Sequence, residues 1–237
     1  MTKILRKYLG ILAALPFLLA PTISGAFEVP GFNGFAVGIG FTGAAIHVDG
    51  TETDPEGTKS VKKIHDSKGL EYASIFGEVR FNVIDRLGLT LGISTIPGDH
   101  QFVTETKPDT DLTSLAGGTN TGVSTVTGKL SGLYTLYIQP TVRLTDVFSV
   151  YLTAGISTMD VEANAQLVTS TDFVETVVVD GTRFGVGVMA QGANGFFIKL
   201  EGNASDYESV SFTTSDSTVA KAELDEESVS LLLGKAF

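Results

Sequence analysis

Eight segments of this chain carry apolar side chains at every second residue, and no other feature limits its fold as much. The first segment has Phe35, Val37, Ile39 and Phe41, and the second Ala73, Ile75, Gly77, Val79 and Phe81. The third has Leu87, Leu89, Leu91 and Ile93, and the fourth Leu130, Tyr134, Leu136, Ile138 and Val142. The fifth has Phe148, Val150, Leu152, Ala154 and Ile156, and the sixth Phe184, Val186, Val188 and Ala190. The seventh has Phe196, Ile198 and Leu200, and the eighth Val229, Leu231, Leu233 and the final Phe237. Residues two apart in a strand share a face, so each set is one apolar stripe. The charge within the stripes is confined to Lys235, near an end. No stretch reads as an amphipathic helix, and the expectation is an all-β fold.

The connections alternate in length. Short ones run over 82–86, 145–147 and 191–195, and long ones over about 47–69, 96–129, 160–182 and 205–226. The long ones hold most of the acidic residues and are rich in Thr, Ser and Gly, which predicts solvated, mobile loops. Val161, Ala163, Ala165, Leu167, Phe173 and Val177 to Val179 predict that the third of these extends its hairpin. Short turns at one end and long loops at the other, with an even strand count, predict an eight-stranded antiparallel up-and-down transmembrane β-barrel. Its turns would be periplasmic and its long loops extracellular.

A soluble barrel also alternates, with its apolar face inward, so the opposite face decides. That face carries Ala36, Gly38, Gly40, Thr42 and Ala44 in the first segment, and Gly88, Thr90, Gly92 and Ser94 in the third. Ser228, Ser230, Leu232, Gly234 and Ala236 stand there in the eighth. Small residues suit a crowded lumen. The larger polar groups there have both signs: Glu78, Arg80, Arg143, Arg183, Lys199 and Glu201, with Tyr137 and Gln139. Enclosed ions need partners, so these six are expected to form a lumen ion-pair network.

Residues 1–26 form a separate unit. Lys3, Arg6 and Lys7 precede an apolar run from Leu9 to Ala20, and Ser24 and Ala26 are small residues at cleavage-site spacing. The run is shorter than the ~20 residues that span hydrocarbon, so 1–26 is expected to be a signal peptide and 27–237 the barrel domain. Its removal takes three basic residues and moves the net charge from −11 to −14. So acidic a chain disfavours nucleic acid as a partner. The absence of Cys excludes disulfides, thiolate metal sites and lipid attachment at a cysteine.

Phe35, Phe81, Phe148, Phe196 and Phe237 all fall at the short-turn ends of their segments, which predicts an aromatic girdle at one membrane interface. The last nine residues place Val229, Leu231, Leu233 and Phe237 on one face and stop on the aromatic ring. This stretch resembles the C-terminal strand of bacterial outer-membrane proteins, and the mature chain resembles the OmpA/OmpX/OmpW-like and opacity-type small barrels. The resemblance implies a Gram-negative outer membrane, contact with its lipid and lipopolysaccharide, and recognition of the last strand by the barrel-assembly machinery. It supplies no catalytic residues. Two departures are the absence of Trp and the position of Pro140 inside a segment, expected at a bulge or near the periplasmic rim.

Other motifs fail on context. Gly38 to Gly43 matches the dinucleotide fingerprint GxGxxG but leads into strand-like sequence, not a helix N-terminus. His47, His65 and His100 are widely spaced and set up no zinc site. His65-Asp66-Ser67 is adjacent in sequence, which is not triad geometry. The acidic loops have no EF-hand spacing. No enzyme activity, cofactor or metal is expected. The leading expectation is a membrane anchor presenting four acidic loops to an unidentified surface partner. The alternative is a narrow pore or conduit for small solutes or apolar molecules, suggested by inward glycines such as Gly185 and Gly187.

Overall fold

A computed structural model describes residues 33–53, 62–84, 86–109, 122–166, 173–213 and 219–237. The strands are β1 (Gly34–Thr53), β2 (Lys62–Ile84), β3 (Leu87–Thr95), β4 (Asp99–Asp109), β5 (Gly122–Arg143), β6 (Phe148–Gln166), β7 (Phe173–Gln191), β8 (Phe196–Thr213) and β9 (Val219–Ala236). Chain neighbours other than β3 and β4 pair antiparallel, β9 pairs back with β1, and β3 pairs with β5. The ring therefore closes with eight staves, because β3 and β4 form one interrupted stave against β5. Closure leaves no open edge at the height of the β3 ring, the condition for a sheet to stand in hydrocarbon.

The registers fix the barrel's size. One row of paired residues runs Ala36, Glu78, Gly92, Tyr137, Gly155, Arg183, Ser205, Glu226 and returns to β1 at Ile46, ten residues further along. With a rise of about 3.3 Å per residue and strands about 4.8 Å apart, that stagger tilts the strands by about 40°. The backbone then lies about 8 Å from the axis, a radius that side chains fill.

The stripes face outward. Ile39, Phe41, Ile75, Leu152, Phe184, Val186 and Leu200 are between 45 and 60 % exposed, and the alternate residues are buried. A belt of bare Leu, Val, Ile and Phe is unstable against water and stable against lipid tails. Towards the end away from the short turns the pattern inverts. Glu71, Asp206 and Glu227 are exposed and outward there, while inward-facing Ile46, Leu70, Leu130, Met159, Val179 and Leu224 are buried in one apolar cluster. The upper barrel is thus built like a soluble one, polar outside and apolar inside.

This inversion corrects the expected loops. Most of 47–69, 160–182 and 205–226 is strand, and so is much of 96–129. Among the described residues Glu223 and Asp225 flank inward Leu224, and Asp160 and Glu162 flank inward Val161, a period that composition alone concealed. The predicted hairpin extension is present as β6 and β7, although Leu167 lies outside the described residues. The signal-peptide segment 1–26 also lies outside them. Pro140 lies three residues from the end of β5, where the β5–β6 ladder is interrupted between Ile138↔Ala154 and Thr141↔Tyr151. The register is the same on both sides, so the proline takes a gap in the ladder rather than a bulge.

Candidate functional site

The lumen is the place where chemistry-bearing side chains converge. Inward positions of β2, β5, β6 and β8 bring Glu78, Gln139, Thr153, Lys199 and Glu201 to one level, all at most 6 % exposed. Glu78 accepts from Arg80 Nη2 at 2.7 Å, Arg80 Nε at 3.0 Å and Tyr137 Oη at 3.0 Å, and it pairs with Lys199 Nζ. Lys199 also donates to Gln139 Oε1 at 2.9 Å. Gln139 Nε2 donates onward to Glu201 Oε2 and to Thr153 Oγ1, each at 3.0 Å. Thr153 Oγ1 donates to Glu201 Oε2 at 2.9 Å, and Arg183 Nη2 stands 4.0 Å from Glu201 Oε1. One connected layer thus crosses the barrel from β2 to β8.

Rings pack beneath and beside this layer. Arg80 lies 4.1 Å over the Phe197 ring, and Lys199 is 5.1 Å from that of Tyr151. These rings need room, and inward glycines supply it. A Cβ on Gly92 would strike the Tyr137 ring, and one on Gly187 would strike Tyr151. Gly38 and Gly234 take Phe76 and Phe197 in the same way, and Gly185 takes Asn203. The glycines that suggested a gap are slots filled from neighbouring strands.

A second polar layer lies above. Tyr72 and Tyr207 donate to the two oxygens of Glu226 at 2.9 and 3.2 Å, and Thr42 bonds Ser230 at 2.8 Å. Between the layers is a small cavity lined by Ser74, Ser94, Thr135, Arg183 and Glu201. Among the described residues Arg183 Nε has no hydrogen-bond partner. Over the second layer sits the apolar cluster.

Five of the six expected lumen ions belong to the first layer. Arg143 is set apart, half-buried at the periplasmic end of β5. Sequence reasoning missed Glu226, because its neighbours Asp225 and Glu227 made it look like one more loop carboxylate. Of the five girdle residues, Phe81, Phe148, Phe196 and Phe237 are 44 to 64 % exposed, whereas Phe35 is 5 % exposed and buried. Lys235 stands 4.8 Å from the Phe196 ring and 5.6 Å from that of Phe237, holding its amine at the girdle. Val229, Leu231 and Leu233 of the last strand face outward and are exposed.

The glycine fingerprint lies wholly within β1, with no helix after it. His47 pairs in register with Asp225, and His100 packs its ring against Tyr72. The side chains of His65 and Asp66 lie outside the described residues. Among the described residues no group of three His, Cys, Asp or Glu is placed to hold a metal.

A closed antiparallel barrel with a lipid-compatible belt and an ion-filled lumen defines an integral outer-membrane β-barrel protein. The profile of the outer membrane protein beta-barrel domain family matches residues 10–232, and the chain belongs to that family. Similar solved structures include Ail of Yersinia pestis, the attachment invasion locus protein, at 12 % identity and a TM-score of 0.43 over 86 % of this chain and 99 % of that one. The outer membrane protease OmpT from Escherichia coli matches at 10 % identity and 0.46 over 89 % and 99 %. The outer membrane protein AlkL matches at 15 % identity and 0.40 over 90 % and 94 %. No curated protein matches it in sequence.

Proposed function

We propose that this protein is an outer-membrane anchor with a lumen closed to ions, which holds an acidic, stranded extension outside the cell for surface contacts. The layer joining Glu78, Arg80, Lys199, Gln139 and Glu201 carries the reading, because it crosses the lumen with its charges paired. An ion entering it would have to displace charge-assisted bonds that have no water to replace them. The extension presents Glu71, Asp206, Glu208, Glu223 and Glu227 outward, a surface suited to cationic partners or to divalent cations at lipopolysaccharide. On this reading the protein is not an enzyme, 1–26 is removed on export, and Val229 to Phe237 engages the barrel-assembly machinery.

Planar-bilayer recording of refolded protein tests the closure. The expected result is no steady conductance from the native chain and a measurable leak from Glu78→Ala. Steady, ion-selective conductance from the native chain would overturn the reading. Deleting Phe237 is expected to slow membrane insertion in a reconstituted assembly assay while leaving refolding in detergent intact.

A further inference from the structure

Lys235 is the one charged residue in the outward apolar stripes. It pairs in register with Phe196 on one side and Val37 on the other, one row nearer the periplasmic end than Ile198, Leu233 and Ile39. A cation on the lipid face of a barrel is costly at the bilayer midplane and nearly free at an interface, so its position marks the level of the periplasmic headgroups. The amine is held there by rings. Its Nζ is 4.8 Å from the centre of the Phe196 ring and 5.6 Å from that of Phe237. Two rings turn a flexible side chain into a placed charge, which lowers the ordering cost of binding a counter-ion. Ring faces attract the charge and leave N–H donors for oxygen acceptors.

A trough runs along the outer wall from this amine. Ala190 is the smallest of the outward residues on β7, and it pairs with Phe148 of β6 and Ile198 of β8. A methyl set between larger side chains leaves a depression, lined by Val147, Ala190, Phe196, Ile198, Leu233 and Lys235. Phe196, Ile198 and Leu233 are 57, 43 and 40 % exposed, so the depression opens to the bilayer and not to the lumen. Its polar side chains, Gln191 and Lys235, stand at the periplasmic end, and Gln191 is turned away to accept from Arg80 at 2.9 Å. From the periplasmic end upward the wall therefore offers a cation, then rings, then an aliphatic channel. A phospholipid presents the complementary order of phosphate, glycerol and acyl chain.

We infer that Lys235 and this trough form a binding site for an anionic phospholipid of the periplasmic leaflet, with the phosphate on the amine and one acyl chain lying along Ala190, Ile198 and Leu233. Charge selects the headgroup. A headgroup with an ammonium of its own already neutralises its phosphate in part, whereas a glycerol headgroup keeps its full negative charge for the lysine. Lipopolysaccharide belongs to the opposite leaflet, at the other end of the barrel. The inference goes beyond the anchor reading, because it concerns the lipid-facing wall and depends neither on the lumen nor on what the outer surface contacts.

The native absence of Trp gives a silent background for fluorescence. Val37→Trp puts a single indole in the register position beside Lys235, and Leu152→Trp puts one on the lipid face of β6 as a control. Each protein is refolded into phosphatidylcholine vesicles that carry a minor fraction of brominated phosphatidylglycerol or, separately, of brominated phosphatidylcholine. The ratio of quenching by the two lipids at one indole cancels its depth in the bilayer. At Val37→Trp the expected preference for phosphatidylglycerol is about fivefold, the order that one lysine beside anionic lipid supplies, and at Leu152→Trp the ratio is expected near one. Lys235→Gln in the Val37→Trp protein should bring the ratio near one, and Lys235→Arg should keep it. Ala190→Phe, which fills the trough and leaves Lys235 in place, should also lower it towards one. Heat-modifiable electrophoretic migration verifies that each variant is folded. A ratio near one in the Val37→Trp protein, or a preference that survives Lys235→Gln, overturns the site. A preference unchanged by Ala190→Phe overturns the trough as the seat of the acyl chain. None of these readings involves conductance, so failure here and failure of the closed-lumen reading are told apart.

Discussion

Glu78 is 1 % exposed and receives both Arg80 and Lys199, so two cations depend on one carboxylate. Removing it leaves two buried positive charges, whereas removing Lys199 leaves the Glu78–Arg80 pair intact. Breaking a buried pair from one side costs about 3–5 kcal/mol. Glu78→Ala is therefore expected to lose stability of that order in urea unfolding from vesicles, and Lys199→Met distinctly less. Equal losses would mean that the layer does not share its charges as drawn. Gly92 makes the complementary point about volume. Gly92→Ala drives a methyl into the Tyr137 ring, whose hydroxyl serves Glu78. A cost of about 1–3 kcal/mol, read by the same unfolding assay, follows from overpacking.

At the scale of elements, each strand carries two patterns joined end to end. In β9, Leu231 is outward in lipid, and seven residues earlier Leu224 is inward in the upper cluster. Leu231→Arg is expected to cost about 2–4 kcal/mol near the bilayer midplane, and Glu227→Leu, above the belt, to change stability little. A reversed order of the two would contradict the assigned lipid boundary. The β8–β9 pair above that boundary also sets Asp206 directly opposite Asp225. Partial burial, then the Asp206 hydrogen bond and charge, with Asp49 nearby, hold the Asp225 carboxyl above the usual aspartate range. The folded state therefore binds this proton more tightly than the unfolded one. Stability rises as pH falls from Asp225's raised value to the ordinary aspartate range and is level below it. Asp225→Asn removes the effect and gains under about 1 kcal/mol, because like charges opposite each other are mildly unfavourable and largely exposed here. Amide exchange across β8–β9 between neutral and mildly acidic pH measures both.

Across the whole molecule, the ten-residue stagger and the strand lengths produce a barrel taller than its lipid belt. The upper β5–β6 ladder, from Thr125↔Gln166 to Ser131↔Asp160, is continuous and backed by apolar packing. Its amides are expected to be protected from exchange in vesicles, with protection far above that of a solvated loop. Free exchange there would return the extension to the mobile loops that composition suggested.

Alternation determined the strands and their number as staves, and the small residues of the opposite face determined that the stripes point outward and which ions face the lumen, because a period of two fixes the face of every residue once one face meets lipid. Glu78, Arg80, Lys199 and Glu201 were legible for that reason, as the large polar exceptions on a face of small residues. Sequence could not tell which of those ions meet, since Glu78 and Lys199 lie 121 positions apart and are joined only by closure of the sheet. Nor could it place Arg143 outside the layer, bury Phe35, or recover Glu226 from an acidic run. The tertiary structure alone decided where the two patterns change over. That depends on how far each tilted strand rises relative to its neighbours, which is a property of the closed ring and not of any one segment.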